Sequence, residues 1–173
     1  LYDPLDGHLD PSGTTQAYAR AARLAGATVV TRCRVLETNP RPDGTWDVVT
    51  EQGTIHAEHV VNAAGLWARE VAAMAGHSVP LHPMAHHYLV TDDIPEIYER
   101  DSEHPHVVDP AGESYLRQEG RGLCIGYYEK TPRAWAIDGT PWDFGSELLP
   151  DDLDRLSASI EHSWNRFPVL ATA

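Results

Sequence analysis

The chain has 173 residues, 42% of them hydrophobic and 23% charged, with a formal net charge of −13. That charge excludes nucleic acid and acidic membrane surfaces as partners, because phosphate contacts need clustered Lys and Arg. No apolar run approaches the roughly 18 residues of a membrane-spanning helix.

In chain order, Asp10-Pro11-Ser12-Gly13-Thr14 reads as a helix start, with Asp10 as N-cap and Pro11 in the first turn. The predicted helix carries Ala17, Ala21, Leu24 and Ala25 on one face, suited to close packing on a sheet, and ends at Gly26. A β-branched strand is expected over Ala27–Val35, then a turn through Asn39, Pro40, Pro42, Asp43 and Gly44. A strand over Trp46–Thr50, a Gln52-Gly53 turn and a strand over Thr54–Ala57 follow.

The run His59-Val60-Val61-Asn62-Ala63-Ala64-Gly65-Leu66-Trp67 predicts a strand that ends in a tight small-residue turn at a helix start. Such a turn lets an anion or ribose-phosphate approach the backbone closely. Small-residue turns also occur in α/β proteins that bind no nucleotide. The helix beyond shows Trp67, Val71 and Met74 at helical spacing and closes at Gly76. The texture changes near Pro80, where a domain boundary is expected.

A strand is predicted over His87–Thr91, followed by an acidic loop over Asp92–Pro110. Strands over Ser114–Gln118 and Leu123–Tyr127 flank the turn Gly120-Arg121-Gly122, and Thr131–Gly145 reads as an ordered loop. The final helix begins at Pro150-Asp151-Asp152, buries Leu153, Leu156, Ile160, Trp164 and Phe167, and stops at Pro168. The fold class is α+β combined with part of an α/β layer.

The ten histidines lack the spacing of a metal site. His86 and His87 are adjacent on a strand, so they point to opposite faces and cannot both line one site. Tyr115 and Arg117 share one strand face. They could grip a small carboxylate, with Arg as the fork and Tyr as an oriented hydroxyl, or form an ordinary cross-strand surface pair. Cys33 and Cys124 lie in apolar segments and are expected to be buried reduced thiols. No GxGxxG, Walker or GxSxG motif occurs.

Several segments taken in order carry a family resemblance. They are Asp6-Gly7-His8-Leu9-Asp10-Pro11-Ser12-Gly13, Asn62-Ala63-Ala64-Gly65-Leu66-Trp67-Ala68, Pro83-Met84-Ala85-His86-His87-Tyr88-Leu89-Val90-Thr91, Tyr115-Leu116-Arg117-Gln118-Glu119 and Phe144-Gly145-Ser146-Glu147-Leu148-Leu149, continuing through Asp152-Leu153-Asp154-Arg155-Leu156. The chain resembles the central part of the dimethylglycine and sarcosine dehydrogenases, within the D-amino-acid-oxidase-like FAD-dependent oxidoreductases. That resemblance implies a discontinuous FAD-binding domain, with residues 1–79 as its C-terminal part. Residues 80–173 would be an incomplete substrate domain whose antiparallel sheet roofs the flavin.

The resemblance further implies that the Val35 backbone meets the adenine, that Ala64 and Gly65 approach the nucleotide, and that Trp67 packs beside it. His86 matches the family's active-site histidine and Tyr115 its tyrosine, although His87 stands where the pattern carries Gln. The implied substrate is a small N-methylated amino acid, demethylated by hydride transfer to flavin. Tetrahydrofolate and an electron-transfer flavoprotein are partners implied through the full-length protein. A bacterial cytoplasm or a mitochondrial matrix is expected, the cytoplasm preferred.

The glycine-rich N-terminal motif, the flavin-linking histidine and the folate domain are not in these 173 residues. The chain by itself is therefore expected to be inert and to hold FAD poorly. Two alternatives stand beside this reading. One is a non-catalytic α+β module that binds a small acid on the Tyr115/Arg117 face. The other is a flavin oxidase of another amino acid.

Overall fold

The computed structural model describes residues 2–172 and separates into two compact units. One holds Leu9–Pro83 and Ala134–Ser146; the other holds the residues up to His8, Met84–Arg133 and Glu147 onward. The segment 134–146 returns to the first unit, which a single boundary near Pro80 does not provide for. Backbone carbonyls of that segment accept hydrogen bonds from the second helix, and carbonyl acceptors leave no mark in the sequence.

In the first unit, helix α1 (Pro11–Leu24) starts as expected, with the Asp10 side chain accepting the Gly13 amide. Gly26 follows it at φ +93°, the left-handed conformation that ends a helix with least strain. The alanine face does not pack on a sheet: no residue of α1 is buried. Strands β1 (Val35–Pro40), β2 (Trp46–Thr50) and β3 (Gly53–Ala57) form an antiparallel meander in that order. The predicted strand over Ala27–Val35 is reduced to its last residue, and β1 instead runs on through Asn39 and Pro40. A proline at the end of an edge strand removes no ladder bond that a neighbour needs.

His59–Val61 is likewise not a strand. It and residues 27–34 have β-branched sequences, but a ladder requires a neighbour, and neither segment has one among the described residues. A 3₁₀ turn (Gly65–Trp67) then leads into α2 (Ala68–Met74), which buries Ala72 and packs against β1; Gly76 follows at φ +74°.

The second unit opens with the two-residue strand β4 (Met84–Ala85) and is built on a four-stranded antiparallel sheet. Its strands are β5 (Tyr88–Val90), β6 (Val107–Asp109), β7 (Ser114–Glu119) and β8 (Gly122–Tyr127), in the order β5-β8-β7-β6. The acidic loop expected over Asp92–Pro110 thus holds β6, together with a short helix, α3 (Pro95–Tyr98). Register pairs Leu116 with Ile125 and Leu89 with Ile125, placing these three on one face. Helix α4 (Leu153–Arg166) supplies Leu156 to a core with Ile94, Ile97, Leu116, Leu123, Ile125, Tyr127 and Leu170.

The stripe of α4 differs from expectation. Leu156 is fully buried and Ile160 and Phe167 pack at the edge of the core, but Leu153 and Trp164 are exposed and Ser163 is buried. A small side chain lets the helix approach the sheet closely, and that turns the flanking large residues outward.

Candidate functional site

Register leaves the other face of the four-stranded sheet open. Tyr115 pairs with Gly126 and Arg117 with Cys124, while Tyr88 and Val90 pair with the same Gly126 and Cys124. All six residues therefore share the face opposite the core. A Cβ built on Gly126 would fall inside the Tyr115 ring, so this ring lies directly over the glycine.

From Tyr115 a ladder of rings runs both ways across the face. Tyr128 lies 5.8 Å from Tyr115, and His86 meets Tyr128 edge to face at 5.5 Å. On the other side His106 meets Tyr115 at 5.5 Å, and His8 meets His106 at 6.4 Å. The two residues singled out from sequence, His86 and Tyr115, are thus brought together through Tyr128. His106 was missed, hidden in what read as a loop. Burial pushes the Tyr115 phenol above its ordinary value, and the neighbouring Cys124 and Tyr128 add to that. The phenol stays a neutral hydrogen-bond donor through the physiological range.

His87 points the other way. Its Nε2 accepts the Asp152 amide at 3.1 Å, and its Nδ1 faces Arg155 at 3.1 Å and Glu129 at 3.7 Å. Arg117 pairs with the Glu119 carboxylate and donates to the Gln118 carbonyl at 3.3 Å, both through Nη1. Cys33 and Cys124 are both free thiols, but only Cys124 is buried as expected while Cys33 is half-exposed; burial raises the Cys124 thiol above its usual value. Among the described residues no group of three His, Cys, Asp or Glu side chains could hold a metal ion, and no helix is long and apolar enough to cross a membrane.

The nucleotide candidates all lie in the first unit. Val35 opens β1 opposite Thr50, just before a bulge. Asn62 ties the Ala64-Gly65 turn from both ends: its Oδ1 accepts the Ala64 amide at 3.2 Å and its Nδ2 donates to Ala68 at 2.8 Å. Gly65 has φ +53°, and a Cβ there would meet no atom within 4 Å. Its amide and that of Leu66 donate to no group among the described residues. The turn is thus open to close backbone approach and rigidly held, which fits a dinucleotide cofactor.

Trp67 is fixed by the returning segment, its Nε1 donating to the Pro141 carbonyl at 2.9 Å. Arg69 donates to the carbonyls of Ala136 (3.0 Å) and Ile137 (3.2 Å), and Glu70 accepts the Thr140 amide at 2.8 Å. Burial raises the Glu70 carboxyl, but the Thr140 amide and Arg69 outweigh it and hold the carboxyl below the ordinary glutamate value. Its stabilising contribution is therefore complete above that ordinary value of 4.5 and is lost as pH falls through the lowered one. Hydrogen exchange in 134–146, corrected for intrinsic rates, should accelerate over that acid range and lose this pH dependence in Glu70→Gln. Protection that ignores pH in the unmodified protein would refute the clamp.

The fold and site define a class: a helix-and-antiparallel-sheet scaffold with an open small-residue turn and an aromatic sheet face. The FAD dependent oxidoreductase family matches residues 1–172, and the chain belongs to that family. It is 47% identical to mouse mitochondrial dimethylglycine dehydrogenase over all of this chain and 20% of that protein. It is 40% identical to mouse mitochondrial sarcosine dehydrogenase over 98% of this chain and 18% of that protein. The chain thus spans about a fifth of the length of these curated relatives. The crystal structure of L-proline dehydrogenase from P. horikoshii superposes with a TM-score of 0.69 at 26% identity, covering 95% of this chain and 42% of that one. Both mouse relatives are named as mitochondrial, so the expected preference for the cytoplasm finds no support in them.

Proposed function

We propose that this chain is the central part of an FAD-dependent amine oxidoreductase that oxidatively demethylates dimethylglycine or sarcosine. One observation carries the reading beyond family membership. His86, Tyr128 and Tyr115 line one open sheet face, with ring separations of 5.5 and 5.8 Å, while His87 is turned away into an ionic cluster. The face offers one imidazole and one neutral phenol to a small amine, and the names of the mouse relatives supply the substrate class.

FAD, when bound, supplies the two-electron acceptor. The chain's own residues have the remaining tasks. Val35, Ala64, Gly65 and Trp67 would hold the nucleotide, the open Gly65 turn giving close backbone access. The substrate amine must lose its ammonium proton before its N-methyl carbon can release hydride, and the His86 imidazole is the side chain on this face to take that proton. The Tyr115 hydroxyl, kept protonated, orients the amine or carboxylate. Arg117, whose Nη1 pairs with Glu119, has further donors on the same face and would help hold the substrate carboxylate. The residues up to 79 belong to the FAD-binding part and those from Met84 to the substrate part, with 134–146 serving the former. Tetrahydrofolate and an electron-transfer flavoprotein would act on the full-length protein rather than on this segment.

Anaerobic mixing of the full-length flavoprotein with dimethylglycine and with sarcosine tests the proposal. Bleaching of the oxidised flavin band, with release of the demethylated amine, is expected. A flavin that neither compound reduces rejects it.

A further inference from the structure

Beneath the His86–Tyr128 ring pair lies a second arrangement that the chemistry above does not use. His86-His87 and Tyr128-Glu129 are paired dipeptides at the same end of the sheet, joined where the Tyr127 amide donates to the His87 carbonyl at 3.1 Å. In each dipeptide the first side chain faces the open side and the second faces α4. The two inward side chains are nearly closed off from solvent, with Glu129 8% and His87 13% exposed. Both meet one guanidinium. Arg155 Nη1 pairs with Glu129 Oε2 at 2.9 Å, and its Nη2 sits 3.1 Å from His87 Nδ1. Arg155 is itself oriented by Asp152, whose Oδ2 lies 3.4 Å from its Nε and whose amide donates to His87 Nε2. The first turn of α4 thus sets one guanidinium against the undersides of both dipeptides, as an ion pair with Glu129 beside the His87 ring.

We infer that Arg155, with Glu129 and His87, is a positioning device that sets the separation and tilt of His86 and Tyr128. The inference rests on the proposed role of His86. A buried ion pair between Arg155 and Glu129 holds its partners together in a way a packed apolar side chain does not. Rotation of either dipeptide would swing the ring on its other side, and about 1 Å of misplacement at a reacting group can cost on the order of a hundredfold in rate. Tyr128 also touches Tyr115, so displacement reaches the phenol as well.

The test uses the full-length flavoenzyme carrying Arg155→Met, Arg155→Lys or Glu129→Gln. In Arg155→Met the limiting rate of flavin reduction, per mole of bound flavin, should fall about tenfold or more, while apparent substrate affinity changes far less. Arg155→Lys keeps one charged contact and should recover part of that loss; Glu129→Gln keeps the shape and should fall between. A fluorotyrosine resonance assigned to Tyr128 by Tyr128→Phe should shift in Arg155→Met, whether or not the flavin is reduced by these amines. Reduction rates equal to wild type in both Arg155→Met and Glu129→Gln, with an unmoved Tyr128 resonance, overturn the inference and leave the functional reading intact. Should the wild-type flavin not be reduced at all, the functional reading fails, and the Tyr128 resonance alone decides the positioning role.

Discussion

Gly126→Ala in the full-length flavoenzyme is expected to lower the rate of flavin reduction by about a hundredfold while leaving the protein folded and flavin-loaded. The added methyl would occupy the space of the Tyr115 ring, which is cross-strand to Gly126 and lies over it. Backbone strain is not the issue, because Gly126 is absent from the positive-φ positions. The ring must therefore move, and it moves on the face where His106, Tyr128 and His86 are linked to it. The core face of the same strand pair, Leu116 against Ile125, is untouched, so thermal stability should change little beside the rate. Tyr115→Phe serves as the comparison, since it removes the hydroxyl but keeps the ring. A Gly126→Ala enzyme as fast as wild type would show that the Tyr115 ring position does not matter to the chemistry.

The link between Tyr115 and Gly126 depends on the length of the turn. The expected turn Gly120-Arg121-Gly122 would set Tyr115 opposite Tyr127, whereas the observed two-residue turn pairs Glu119 with Gly122 and sets Tyr115 opposite Gly126. His86 and His87 do face opposite sides, as the two-residue period of a strand predicts, although both lie in the link between β4 and β5 rather than on a strand. The part of the candidate site that stayed hidden depends on neighbours rather than on local pattern. His106 enters the ring ladder only because the three-residue strand β6 docks on β7, too short a strand to announce itself. The clamp on Trp67 and Arg69 uses the carbonyls of Ala136, Ile137 and Pro141, and any residue has a carbonyl.

The same reasoning accounts for the fold. Val29-Val30-Thr31 and Val60-Val61 have strand propensity, yet a ladder is a property of two segments, and these have no partner among the described residues. The helical period of α4 placed its apolar residues on one broad side. Which third of that side meets the sheet was decided by Ser163, whose small size allows close approach and leaves Leu153 and Trp164 outside.

His86→Gln should have the larger chemical effect, a fall of about 10²–10⁴-fold in the limiting rate of flavin reduction by dimethylglycine or sarcosine. The substitution keeps a polar side chain of similar size beside Tyr128, so a loss of rate reports the missing base rather than a collapsed ring pair. Tyr115→Phe separates the two candidate groups: burial raises the Tyr115 phenol above its ordinary value, so it acts only as a neutral donor, and its loss should cost less rate than that of His86. His87 cannot substitute for its neighbour, since its ring is held between the Asp152 amide, Arg155 and Glu129 on the other side of the link. An unchanged rate in His86→Gln would remove His86 from the mechanism. The proton would then have to leave through another group on the face, and His106, 5.5 Å from the Tyr115 ring, is the next to test.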